Sequence, residues 1–179
     1  TLHTRRYPRK KEANMKTALK IICLCIVSLY AASTPAEEEA IATFKVMKPA
    51  LALELAQATL KACRAADFQV AVAVTDRAGV VQVILRDQLA GAHTPDTARR
   101  KAWTAASFRT DTRTMMEETQ AGKVQSGARF ISGAMMIGGG IPVTSAGTMV
   151  GAVGVSGAPS GDDDHKCAQA GIGAIEEQL

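Results

Sequence analysis

The sequence predicts an α+β domain: one antiparallel sheet with helices packed mainly on one face. Three observations predict it. Two β-branched, apolar runs flank the turn Asp76-Arg77-Ala78-Gly79. Helical patterns stand before and after that pair. The last third of the chain then returns to short apolar runs punctuated by glycine. Strands therefore come in two groups separated by helices, rather than in the strand–helix alternation of a parallel sheet.

The elements follow in order. Residues 45–66 place Leu51, Leu55, Ala58 and Ala62 at three- and four-residue spacing, with Pro49 suited to a first turn, and predict a helix closed by Asp67. Phe68 to Val74 alternates and reads as a strand, and Val80 to Arg86 is its hairpin partner. Asp87 to Thr94 is a loop. Thr94-Pro95-Asp96 then starts a helix running to about Phe108, with Thr94 as its cap. Its Ala98, Ala102, Ala105 and Ala106 form a face small enough for a neighbouring backbone to approach closely. Asp111-Thr112 caps a short helix over 112–120, and 123–133 is irregular. Ala134–Ile137 is expected as a short strand, Gly138-Gly139-Gly140 as a turn, and Ile141–Thr144 and Met149–Ser156 as strands joined at Ala146-Gly147. Gly151 and Gly154 inside the last strand imply a helix or ligand packed against it. Residues 163–178 form a closing helix whose acidic start suits the helix dipole.

The formal net charge of +4 is unevenly placed. Residues 1–36 hold seven basic residues and one acid, a net of +6; the other 143 hold 14 basic and 16 acidic residues, a net of −2. The basic character thus belongs to the N-terminus. There, Met15, Lys16 and Lys20 precede the apolar run Ile21–Ala32, followed by Thr34-Pro35-Ala36 and three glutamates. This is the layout of a secretory signal peptide over 15–36 with cleavage after Ala36. The apolar run is too short to span a bilayer, so no stable membrane span is expected after cleavage. Residues 1–14 read as upstream or vector-derived sequence, and 37–179 as a single domain that is periplasmic or secreted. With 4% aromatic residues and an acidic mature chain, nucleic acid is excluded as a partner. The mature chain keeps Cys63 and Cys167, which form either a disulfide or two buried thiols.

Few motifs carry chemistry. The three consecutive glycines lack phosphate-loop spacing and lead into a strand, so they mark a close backbone approach. There is no nucleophile elbow around Ser156. Asp162-Asp163-Asp164-His165 reads as a solvated helix start rather than a metal site. A small hydrolase or isomerase using Asp76, Lys101 or Ser156 is a minor alternative. His93 is the residue of interest: it sits in a loop between a strand and a helix, and imidazole is a metal and haem-iron ligand. Arg86, Arg99, Arg100 and Lys101 are cations able to meet a carboxylate.

Taken together the motifs resemble the GlcG/HbpS family of haem-binding and haem-degrading proteins over about residues 46–179. The resemblance rests on Val72–Gly79, Arg86–Ala90, Ala98-x-x-Lys101-Ala102-x-Thr104-Ala105, Gly139–Val143, Gly151–Pro159 and Asp164–Ala168, in that order. It implies a profilin-like fold, assembly into homo-oligomers, and haem as cofactor. By the same resemblance, His93 or Thr144 would stand near the iron, His93 being the metal ligand, with Arg86 or Lys101 near a propionate. Asp96 matches the first acid of a surface iron site in the family, but Arg99 replaces the second. The expected function is exported haem binding with slow haem degradation. The alternative is a non-catalytic oligomeric accessory or sensory module that binds a small organic acid, another small anionic ligand or a partner protein.

Overall fold

The computed structural model describes residues 40–179, so the expected upstream segment and signal peptide lie outside the described residues. The elements all lie in one compact unit, Phe44–Leu179. Its elements are α1 (Pro49–Ala65), β1 (Ala71–Asp76), β2 (Val81–Arg86), α2 (Thr94–Phe108), α3 (Thr112–Glu118), β3 (Gly140–Ser145), β4 (Thr148–Ser156) and α4 (Gly161–Gly173), with short 3-10 turns at Ser126–Phe130 and Glu176–Gln178. The four strands form one sheet in the order β2-β1-β4-β3, antiparallel at every pairing.

Side-chain alternation decides which helix goes where, because successive strand residues face opposite sides of a sheet. Val72 and Val74 of β1 join Val153 and Val155 of β4 in a core shared with Leu55, Ala56, Leu60 and Cys63 of α1 and Cys167 and Ala168 of α4. Ala71 and Ala73 face the other way, onto Ala98 and Ala102 of α2. Ala152 packs there on Ala105 and Ala106. The α+β class and the antiparallel sheet are therefore as expected, but helices cover both faces of the sheet rather than mainly one. α1 and α4 share the face built on valine, and α2 covers the face built on alanine.

The alanine face brings α2 unusually close. A Cβ added at Gly154 of β4 would lie 2.1 Å from the Ala98 carbonyl oxygen and 2.6 Å from the Ala102 nitrogen. Glycine at 154 thus answers the sequence-based expectation of a helix against this strand.

Three local readings are corrected. Ala134–Ile137 is not a strand: it runs as an irregular segment, because its backbone is held by α2 side chains rather than by a neighbouring strand. Thr94 is not the cap of α2 but its first residue; its hydroxyl donates back to the Gly91 carbonyl at 2.8 Å, and His93 occupies the cap position. The closing helix starts earlier and ends sooner than expected, at Gly161 and Gly173, since the Ser160 hydroxyl caps it by accepting from the Asp163 N–H.

Cys63 of α1 and Cys167 of α4 form a disulfide, closing a loop of 104 residues. It ties together the two helices on the valine face. Constraining so long a loop in the unfolded chain is worth about 2–5 kcal/mol. Replacing both cysteines by alanine is expected to lower the unfolding free energy by about that amount, measured by urea denaturation under non-reducing conditions; reductant should reproduce the loss in the wild-type protein and leave the variant unchanged.

Candidate functional site

The N-terminal turns of α2 and α4, the C-terminal end of β4 and the segment Ala134–Ile137 meet at one end of the sheet. Between them lies a cleft of about 430 Å³. His93, Thr94, Thr97 and Lys101 line it from α2 and its cap, Met135 and Ile137 from the irregular segment, and Ser156 to Gly161 and Asp164 from the β4–α4 side.

The floor is an ion pair. Lys101 Nζ lies 2.7 Å from Asp164 Oδ2, and the two side chains are only 2% and 5% exposed. The other carboxylate oxygen of Asp164 accepts from the Ala158 N–H at 3.0 Å, which fixes the turn after β4. Burial lowers the Lys101 pKa and raises that of Asp164, and each partner's charge opposes the shift in the other. The short contact and the hydrogen bond to Ala158 support the charged pair. The remaining ammonium N–H donors of Lys101 have no hydrogen-bond partner among the described residues. Gly139 has φ +116°, and a Cβ there would sit 2.7 Å from Asp164 Cβ and 3.1 Å from Lys101 Nζ. The three-glycine turn is thus a lid over the pair, which is the close approach expected of it.

The apolar wall is positioned by α2. Thr104 donates to the Arg100 carbonyl at 2.8 Å and accepts from the Met135 N–H at 2.9 Å. Arg100 reaches the carbonyls of Gly133 and Ala134 at 3.3 and 2.9 Å. These bonds lay the segment along the helix, so that Met135 and Ile137 face the cleft. Met136 turns instead into a cluster with Met115, Ala134 and Trp103.

His93 stands exposed on the rim. Its ring lies over Gly91, where a Cβ would come within 2.8 Å of Cε1. Its carbonyl accepts from the N–H and the hydroxyl of Thr97, both at 3.1 Å. The imidazole nitrogens make no hydrogen bond among the described residues. Arg86 does not line the cleft; it donates to the carbonyls of Ala90 and Gln88 at 3.1 and 3.3 Å and so braces the loop that carries His93. Thr144 lies elsewhere. It pairs with Met149 near the start of β4, while the cleft adjoins Ser156 at its end. From Thr148 to Ser156, β4 runs eight residue steps, about 26 Å. Of the four residues singled out from sequence, the structure brings His93 and Lys101 together, sets Arg86 behind the loop, and places Thr144 at the opposite end.

The helix start Asp162–His165 is only half solvated. Asp162 and Asp163 face solvent, but Asp164 and His165 are each 3% exposed. Asp164 precedes the buried Cys167 and Ala168 by three and four residues and His165 precedes Ala168 by three, and that helical spacing was the available signal. Arg99 bonds Asp96 at 2.7 Å, so the acid that the resemblance would assign to a surface iron site is engaged by its own helical neighbour. No cluster of metal-ligating side chains occurs among the described residues. No helix among them is long and apolar enough to cross a membrane.

A helix-flanked antiparallel sheet with this cleft at its strand ends is a domain of the GlcG/HbpS class. The chain belongs to the family described as haem-degrading protein HbpS-like, whose model matches residues 47–173. Among solved structures, a double mutant of HbpS from Streptomyces reticuli is 34% identical, with a TM-score of 0.72 over 81% of this chain and 97% of that one. ORFY from Klebsiella pneumoniae is 26% identical, with a TM-score of 0.75 over 79% and 98%. PduOC, in complex with haem, is 26% identical, with a TM-score of 0.68 over 73% and 95%. No curated protein sequence matches the chain.

His165 supplies a pH dependence. Burial first, and then the charge of Arg113, push its pKa below the ordinary 6.5, against the opposing pull of Asp111 and Asp162. Its Nδ1 is buried without a partner among the described residues. The unfolded imidazole therefore takes up a proton that the folded one refuses. This contribution to stability is intact above about pH 6.5 and is lost as pH falls through the lower folded-state pKa. Urea unfolding at pH 7.5 and pH 5 should show the loss in the wild type and a smaller one in His165→Gln.

Proposed function

We propose that the chain is an exported haem-binding protein that holds haem in the cleft between α2, α4 and Ala134–Ile137, with His93 as iron ligand. The observation that carries this reading is His93 itself: an exposed imidazole with free nitrogens among the described residues, on the rim of a cleft with an apolar wall. Membership of the haem-degrading HbpS-like family and the likeness to haem-bound PduOC support it.

The donor set fits the group. Imidazole is a common axial ligand of haem iron. Met135 and Ile137 offer apolar surface, and the cleft volume lies within the range of small-molecule sites. The unpaired N–H groups of Lys101 are donors suited to a propionate. Arg86 acts at one remove, by holding the His93 loop. Bound haem would supply the redox chemistry of degradation. The chain's share would be to orient the group and shield one face.

Export is supported by the leader pattern over 15–36 and by the Cys63–Cys167 disulfide, since such bonds persist in oxidising compartments. N-terminal sequencing of protein recovered outside the cytoplasm should read from Glu37. Self-assembly into a homo-oligomer is supported by the exposed apolar side chains Val124, Phe130 and Ile131.

Hemin titration tests the central assignment. A saturable Soret band is expected, with binding weakened by about tenfold or more in His93→Ala and unchanged in Thr144→Ala. Loss in Thr144→Ala with retention in His93→Ala would move the iron to the other end of the sheet. Absence of saturable hemin binding, together with thermal stabilisation by a small organic acid, would favour the accessory or sensory module instead.

A further inference from the structure

At the opposite end of the sheet from the His93 cleft, a second cavity of about 370 Å³ opens beside the β3–β4 turn. Arg77, from the β1–β2 turn, and Arg109, from the C-terminal cap of α2, both line it. Thr144, Gly147 and Thr148 supply its floor from the hairpin. No acidic side chain lines it. Neither arginine has a carboxylate partner among the described residues, whereas Arg64, Arg99 and Arg113 each have one.

Arg77 is held in place without being satisfied. Its guanidinium carbon sits 3.9 Å from the centroid of the Phe44 ring, a stacking contact that fixes the plane of the fork. Its Nη1 is nevertheless buried with no hydrogen-bond partner among the described residues. A buried cationic N–H without an acceptor is unfavourable, and Arg77 also lines the cavity, where an anion would balance its charge. The acid nearest in sequence, Asp76, is occupied: its Oδ1 accepts from the N–H groups of Ala78 and Val80 at 2.8 and 2.9 Å. Arg109 is exposed and has φ +53°, a left-handed conformation uncommon for a residue with a long side chain. Two guanidiniums sharing one small cavity also repel each other unless negative charge lies between them.

We infer that this cavity is a binding site for a small dianionic oxyanion, a phosphate group or a pair of carboxylates. The two forks offer bidentate donors of the geometry such groups accept. The Thr144 and Thr148 hydroxyls add neutral donors on the hairpin side. The site is independent of the haem assignment, since about 26 Å of β4 separates the two cavities.

The test is calorimetric titration of the wild-type mature protein with inorganic phosphate and, separately, with succinate, at constant ionic strength. Saturable binding is expected for one of the two probes, and which one binds assigns a phosphate-bearing or a dicarboxylate ligand. Arg77→Gln and Arg109→Gln should each weaken that binding by about tenfold, while His93→Ala leaves it unchanged. Arg109 is exposed, so its variant keeps the test open if Arg77→Gln fails to fold. No saturable binding of either probe, or binding that Arg109→Gln does not weaken, overturns the inference.

Discussion

The buried ion pair between Lys101 and Asp164 is the constraint on which the cleft end of the domain depends. Lys101 belongs to the helix on the alanine face, and Asp164 to a helix on the valine face. Their contact at 2.7 Å joins helices from opposite sides of the sheet, past the end of β4. Two buried charges are costly to desolvate, and they are tolerated only when paired closely and otherwise satisfied. The surroundings meet that condition. The turn after β4 donates to the free carboxylate oxygen, and the three-glycine turn covers the pair without a side chain to push it apart.

From this constraint the rest of the cleft follows. Fixing α2 against α4 sets the height of the His93 loop above the β4–α4 turn. Arg100 and Thr104 sit on the same helix as Lys101, so the apolar wall they anchor is placed in the same frame. The alanine stripe and Gly154 let α2 lie near enough to the sheet for a lysine side chain to reach Asp164 at all. The disulfide secures the other face, holding α4 to α1. The geometry of the cleft depends on small residues whose absence of bulk brings charged ones together.

Much of this was legible in the sequence, for identifiable reasons. The β1–β2 hairpin was clear because alternation, Asp-x-x-Gly turn chemistry and β-branching all agreed. The glycines of the last third correctly signalled close approach, although what approached them was not readable. Ala134–Ile137 was misread because a short apolar run looks alike as strand or as buried loop, and the α2 side chains that hold it come from about 30 residues away. The pairing of Lys101 with Asp164 was hidden for the same reason: each reads locally as a surface charge on a helix, and only tertiary contact makes a pair 63 residues apart. His93 and Lys101 line one cleft, whereas Thr144 lies at the other end of the sheet, since sequence order gives no measure of which end of a strand a residue will occupy.

The central claim is that the Lys101–Asp164 interaction holds the cleft together, and a double-mutant cycle tests it most directly. Unfolding free energies would be measured for Lys101→Met, Asp164→Asn and the double variant, asparagine being chosen to preserve the acceptor for Ala158. Each single change should cost about 3–5 kcal/mol, because it leaves a charge or a dipole buried beside the wrong partner. The double variant should cost less than the sum of the two by about 2 kcal/mol or more. Additive costs would show that the two residues act separately, and would contradict the account.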